Sequence, residues 1–111
     1  ATIYNMTQDM YFCTIDEAIA ASQTEDDDVL MIPAGTYSGC IHVTKTIILE
    51  PMGTVVLNCL LMEGPLKTMT LMGDVTIDNL TLTDGKIHTN GHNIKCGTIT
   101  GGDVDSYIVT D

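Results

Sequence analysis

From Val29 to its C-terminus the chain is written in short aliphatic runs: VLMIP, CIHV, TIILE, TVVLNCLL, KTMTLMG, VTIDNLTL, KIHT, NIKC and TIT. Glycines and Asn-Gly signals separate them, which marks strands punctuated by turns. In VTIDNLTL the apolar positions are Val75 and Ile77, then Leu80 and Leu82, so Asp78-Asn79 shifts the alternation by one residue and predicts a corner or bulge. An antiparallel sandwich would also use short strands. However, aromatic residues make up only 5% of the chain and Trp is absent, while Ile, Leu, Val and Thr dominate. Side chains that stack on their own kind favour an all-β solenoid. At about 20 residues per coil, residues 29–111 make about four coils, each burying its inward aliphatics only by stacking on the next. The inward set is predicted to include Ile32, Val43, Leu49, Val56, Leu71, Ile77 and Leu82.

The N-terminal part reads differently. Thr14-Ile15-Asp16-Glu17 has the form of a capping box, and Ile15, Ala18 and Ile19 then share one helical face, which predicts a single helix near residues 14–22. The acidic run Glu25, Asp26, Asp27 and Asp28 that follows is unsuited to burial and predicts a solvated loop. The chain therefore divides into an N-terminal segment, 1–28, with capping helix and acidic loop, and solenoid coils over 29–111. It begins at Ala1 with no charged start or apolar h-region, which reads as a processed chain whose export signal has gone.

The stretch from Phe12 to Leu49, FCTIDEAIAASQTEDDDVLMIPAGTYSGCIHVTKTIIL, resembles the opening of right-handed parallel β-helix (pectin-lyase-like) surface proteins. In that family a short capping helix with a TIDEAI pattern precedes a first coil containing V-x-x-I-P-A-G-T-Y, followed by I-x-V-x-K and I-x-L. The remainder, including VTIDNLTLTDGKIHTNGHNIKCGTITGG, is similar to generic β-helix repeats. Such openings occur in secreted bacterial proteins and in cell-surface proteins of methanogenic archaea. The resemblance implies a right-handed parallel β-solenoid with one N-terminal capping helix, and a role in a sheath or surface layer more often than in catalysis.

Charge narrows the function. Asp and Glu number 15 against 4 Lys and no Arg, a net charge of −11, which argues against nucleic acid as partner because phosphate contacts need clustered cations. The longest apolar run is interrupted by Asn58, Glu63 and Gly64, short of the roughly 18 residues of a membrane span, so no transmembrane segment is expected. Mean hydropathy of +0.20 is too high for a disordered acidic tail.

Polysaccharide cleavage, which the fold invites, finds little support. A lyase of this fold would need a strong cationic group beside a calcium-binding carboxylate cluster, and only Lys45, Lys67, Lys86 and Lys95 are available. A hydrolase needs two or three carboxylates a few Å apart. Asp74, Asp78 and Asp84 could share a coil face, but each adjoins Gly or Asn, where turns place Asp anyway. The Glu25–Asp28 run lacks the spaced ligands of a calcium loop. His88, His92 and Cys96 are four apart, yet Asn90-Gly91 puts a turn between the histidines, so no metal, cofactor or catalytic residue is expected.

Cys13, Cys40, Cys59 and Cys96 form an even set without a C-x-x-C pair, which fits disulfides better than zinc. Cys40 and Cys59 lie about one coil apart, so their Cα atoms would stack at about 4.8 Å, within disulfide range. Cys13 could instead reach Cys40. Three intramolecular connectivities and bonds between chains all remain open, as do buried free thiols acting as small hydrophobes. Asn5-Met6-Thr7 and Asn79-Leu80-Thr81 match the glycosylation sequon, though 17 threonines make chance matches easy.

A four-coil stack buries only about two thirds of its unfolded surface and leaves its last coil with unpaired strand edges, so partnering or crosslinking is expected. The expected protein is an extracellular structural subunit of a cell envelope, a sheath, surface layer or filament, whose partners are copies of itself, with glycan contact as a further expectation. The alternatives are a fragment of a polysaccharide-binding or polysaccharide-degrading β-helix protein, or an adhesin domain.

Overall fold

The computed structural model describes residues 2–64, 67–102 and 106–109. A short antiparallel hairpin opens the chain, β1 (Ile3–Asn5) and β2 (Met10–Phe12), followed by α1 (Ile15–Ala20). Two long bent strands come next, β3 (Asp28–Val43) and β4 (Ile47–Met62). Later coils break into β5 (Thr68–Leu71) with β6 (Val75–Leu82), and β7 (Gly85–His88) with β8 (Ile94–Gly101), before β9 (Ser106–Val109). The result is a β-solenoid of about four turns.

Every coil-to-coil pairing is parallel, and two ladders carry it. One runs from the first half of β3 through β4, β5 and β7 to β9, and the other from the second half of β3 through β4 and β6 to β8. The register lines up like with like. Ile41 lies beside Leu60, Leu60 beside Leu80, and Leu80 beside Ile99. Likewise Val43, Met62 and Leu82 form a column, as do Ile47, Met69, Ile87 and Ile108. Side-chain period two keeps each column on one face, and stacking excludes water from it.

The runs VLMIP and CIHV are one strand rather than two, because β3 stays paired to β4 across irregularities at Pro33/Gly35 and Tyr37/Cys40. These bulges turn the corner that the sequence assigns to a break. At Asp78-Asn79 the expected phase shift is present: both residues are exposed between buried Ile77 and buried Leu80. Of the predicted inward set, Ile32, Val43, Leu49, Leu71, Ile77 and Leu82 are buried. Val56 is not. Val55 and Leu57 face the core instead, because Val56 is held in register between Thr36 and Thr76, an outward polar row.

At the N-terminal end the core is closed by a lid. Thr14 caps α1 by accepting the Glu17 N–H, and the helix ends at Ala20, slightly short of the predicted Ser22. Its buried face, Ile15, Ala18 and Ile19, joins Ile3 over the first coil. Residues 1–28 thus hold a hairpin as well as the helix.

Candidate functional site

The acidic run requires the largest correction. Glu25, Asp26 and Asp27 are exposed, but Asp28 is only 2% exposed. It occupies the inward position next to Ile47, at the head of an aliphatic column, where a polar lid replaces another coil. Its Oδ2 accepts from Asn5 Nδ2 at 3.0 Å, Gln8 Nε2 at 3.1 Å and the Glu25 N–H at 2.9 Å. Asn5 Nδ2 also donates to Thr24 Oγ1, whose hydroxyl donates to the Ala18 carbonyl. Lys45 ties the same region by donating to the Ala21 and Thr24 carbonyls, both at 2.7 Å. Burial pushes the Asp28 carboxyl up, yet the donors Asn5, Glu25 N–H and Gln8, with the Lys45 charge, outweigh it and hold the group below its ordinary value. Outside the lid, Asp26 accepts the Lys67 ammonium and the Thr46 N–H, which together lower its pKa.

Asn5 was a sequon candidate, and here the fold overrules the motif. The residue is fully buried and its amide is committed to Thr24 and Asp28, so a glycan at Asn5 is incompatible with the folded lid. Asn79 is exposed at the bend, donating to the Asn58 carbonyl at 3.2 Å.

Cys40 and Cys59 are joined by a disulfide, with Cα atoms 4.4 Å apart in directly paired rungs. A bond closing a loop of this size stabilises by about 3 kcal/mol on the chain-entropy estimate. Cys13 and Cys96 are free thiols. Cys13 is exposed just before α1, on the rim of a cavity of about 280 Å³ that Cys40 also lines. Cys96 is half-buried beyond Ile77 in the last coil, and burial raises its pKa.

The remaining candidates do not converge. Asp74 precedes β6 and accepts the Asn93 N–H, Asp78 sits at the mid-strand bend, and Asp84 follows the strand. Asn90 and Gly91 both adopt left-handed conformations, making the expected turn between His88 and His92, and His92 lies 3.9 Å from Asp74. Among the described residues no three His, Cys, Asp or Glu side chains gather as a metal site. No helix among them is long and apolar enough to cross a membrane.

The chain matches no protein-family signature, no curated protein and no solved structure.

The Asp28 network escaped the sequence reading. At the far end of the stack, where unpaired strand edges are expected, the column Ile41, Leu60, Leu80 is 5%, 0% and 1% exposed, whereas Ile99, its fourth member, is 52% exposed. Among the described residues β8 pairs only with β6, and β9 only with β7.

On the side wall, His42 Nδ1 lies 2.7 Å from Glu63 Oε1, and this bond, reinforced by the charges of Glu63 and Asp16, raises the His42 pKa. A raised histidine contributes stability fully present below its unfolded value, about 6.5, and lost as pH climbs through the folded value. Glu63→Gln is expected to shift the His42 titration midpoint downward in an NMR titration. An unchanged midpoint would show the pair to be broken in solution.

Proposed function

We propose that this chain is an extracellular structural subunit of a cell envelope, a sheath, surface layer or filament component without enzymatic activity, that associates with copies of itself through strand edges and is held by disulfides. The observation that carries the reading is Ile99, which is 52% exposed in a column whose other members are buried, on a strand, β8, that among the described residues pairs only with β6. An edge of this kind offers main-chain hydrogen bonds and an apolar seat to another strand. The N-terminal lid covers the opposite end, so lateral edges and the terminal coil are the proposed contacts. Support also comes from the resemblance of Phe12–Leu49 to pectin-lyase-like surface proteins, from the low Lys content, and from free thiols at Cys13 and Cys96 that can bond between chains.

Sedimentation velocity and electron microscopy, with and without reductant, test the proposal. Large regular particles that grow with concentration are expected. Ile99→Lys should raise the concentration needed for assembly by about tenfold or more, since burying an isoleucine is worth at least about 1.5 kcal/mol. A monomer at all concentrations, indifferent to this substitution, would defeat the proposal and favour a fragment of a glycan-active β-helix protein.

A further inference from the structure

We infer that Cys13 and the Cys40–Cys59 disulfide form a thiol–disulfide exchange site, in which Cys13 attacks Cys40 and releases Cys59. The argument begins with the cavity of about 280 Å³ between the lid and the first coil. Cys13, Thr14 and Asp16 supply one wall, Tyr37, Cys40 and Ile41 another. The walls are pinned together: Asp16 Oδ1 accepts the His42 N–H at 2.9 Å, three residues after Cys13 on one side and two after Cys40 on the other. This bond holds the segment that carries Cys13 against the segment that carries Cys40. The thiol is exposed, as is Cys40, so exchange requires no opening of the core.

Geometry also selects the partners. Of the two bonded sulfurs, Cys40 belongs to a residue lining the cavity, whereas Cys59, in the adjacent rung, does not line it. Attack therefore falls on Cys40, with Cys59 as leaving group. The second free thiol, Cys96, lies three rungs beyond Cys40, half-buried in β8.

The step balances without an oxidant. The Cys13 thiol gives its proton to solvent, and the thiolate attacks Cys40 Sγ. A Cys13–Cys40 bond forms as the Cys40–Cys59 bond breaks, and Cys59 departs with the electron pair and takes a proton from solvent. One disulfide and one thiol exist before and after. The covalent tie moves from between the first two coils to between lid and first coil, and a reactive thiol moves from the lid to the side wall. None of this depends on assembly.

Tryptic cleavage after Lys45 and Lys67 gives an unambiguous readout, because Cys13 and Cys40 share the peptide 1–45 while Cys59 lies in 46–67. The folded chain, diluted until monomeric, is held in mildly alkaline buffer, quenched with acid, alkylated and digested without reductant. The starting state yields 1–45 joined to 46–67, with Cys13 alkylated. Exchange yields 1–45 closed on itself and a separate 46–67 alkylated at Cys59. The expected result is that this separate peptide appears, increases to a plateau at a rate independent of protein concentration, and is lost in Cys13→Ser. The inference is overturned if 46–67 stays joined to 1–45 throughout, if its release persists in Cys13→Ser, or if Cys13 and Cys40 pair only in a dimer of 1–45.

Discussion

Gly85→Ala is expected to lower the unfolding free energy by about 3 kcal/mol or more, among the largest losses any single methyl can cause here. Gly85 begins β7 with φ +80°, a left-handed conformation that costs an L-residue about 1–2 kcal/mol. A Cβ there would also meet the carbonyl oxygens of Lys67 at 2.7 Å and Gly64 at 2.8 Å, both backbone atoms of the coil beneath. The Lys67 carbonyl cannot retreat without loosening the bond it accepts from the Lys86 N–H, at 2.9 Å. Gly91→Ala is the matched control. Its φ is +78°, but nothing lies within 4 Å of the added methyl, so it should show the conformational cost alone. Urea unfolding of the two variants measures the difference. Equal losses would mean that adjacent coils are not packed as closely at this corner as described.

Asp28→Ala is expected to cost roughly 2–4 kcal/mol, because it removes a charged acceptor and leaves the buried Asn5 amide and the partly buried Glu25 N–H without it. Asp28→Asn should rescue part of the loss, since its amide oxygen can take the place of Oδ2 and accept from Asn5, Gln8 and Glu25, while its NH2 would meet only Gln8 Nε2, 3.4 Å from Oδ1. The pH dependence follows from the depressed Asp28 pKa. Its stabilising contribution is present above the unfolded aspartate value, about 3.9, and is lost as pH falls through the lower folded value. The gap between wild type and Asp28→Ala should therefore narrow in acid. Thermal melts from neutral pH downward test this, and a gap that widened would place the carboxyl in the wrong protonation state.

How much of this could be read from the sequence depends on how local each signal is. The helix was legible because a cap is written within four residues, Thr14 to Glu17, and its apolar face within the next few. The Cys40–Cys59 pairing was legible as one option because a coil repeat converts separation along the chain into adjacency. Val56 was misassigned because Val55 and Val56 are equally apolar, so their own pattern cannot say which faces inward; rows on neighbouring coils decide it. Asp28 was misread for a stronger version of the same reason. Its burial depends on Asn5 and Gln8, about twenty residues earlier, whose side chains carry no pattern that announces an acceptor. The hairpin of β1 and β2 has three residues per strand, too short for alternation to register.

The parallel register has a consequence for how such a chain is made. Each strand of the stack pairs with one about twenty residues earlier, and the lid is encoded before the coils it covers. A nascent chain leaving the ribosome at about 5–20 residues per second thus delivers a new coil every few seconds to a surface already in place. Synthesis and folding run in the same direction, with Leu30 present before Leu49 and Leu49 before Leu71. Non-local strand pairing, ordinarily slow because distant segments must find one another, becomes a sequence of short searches against a growing template.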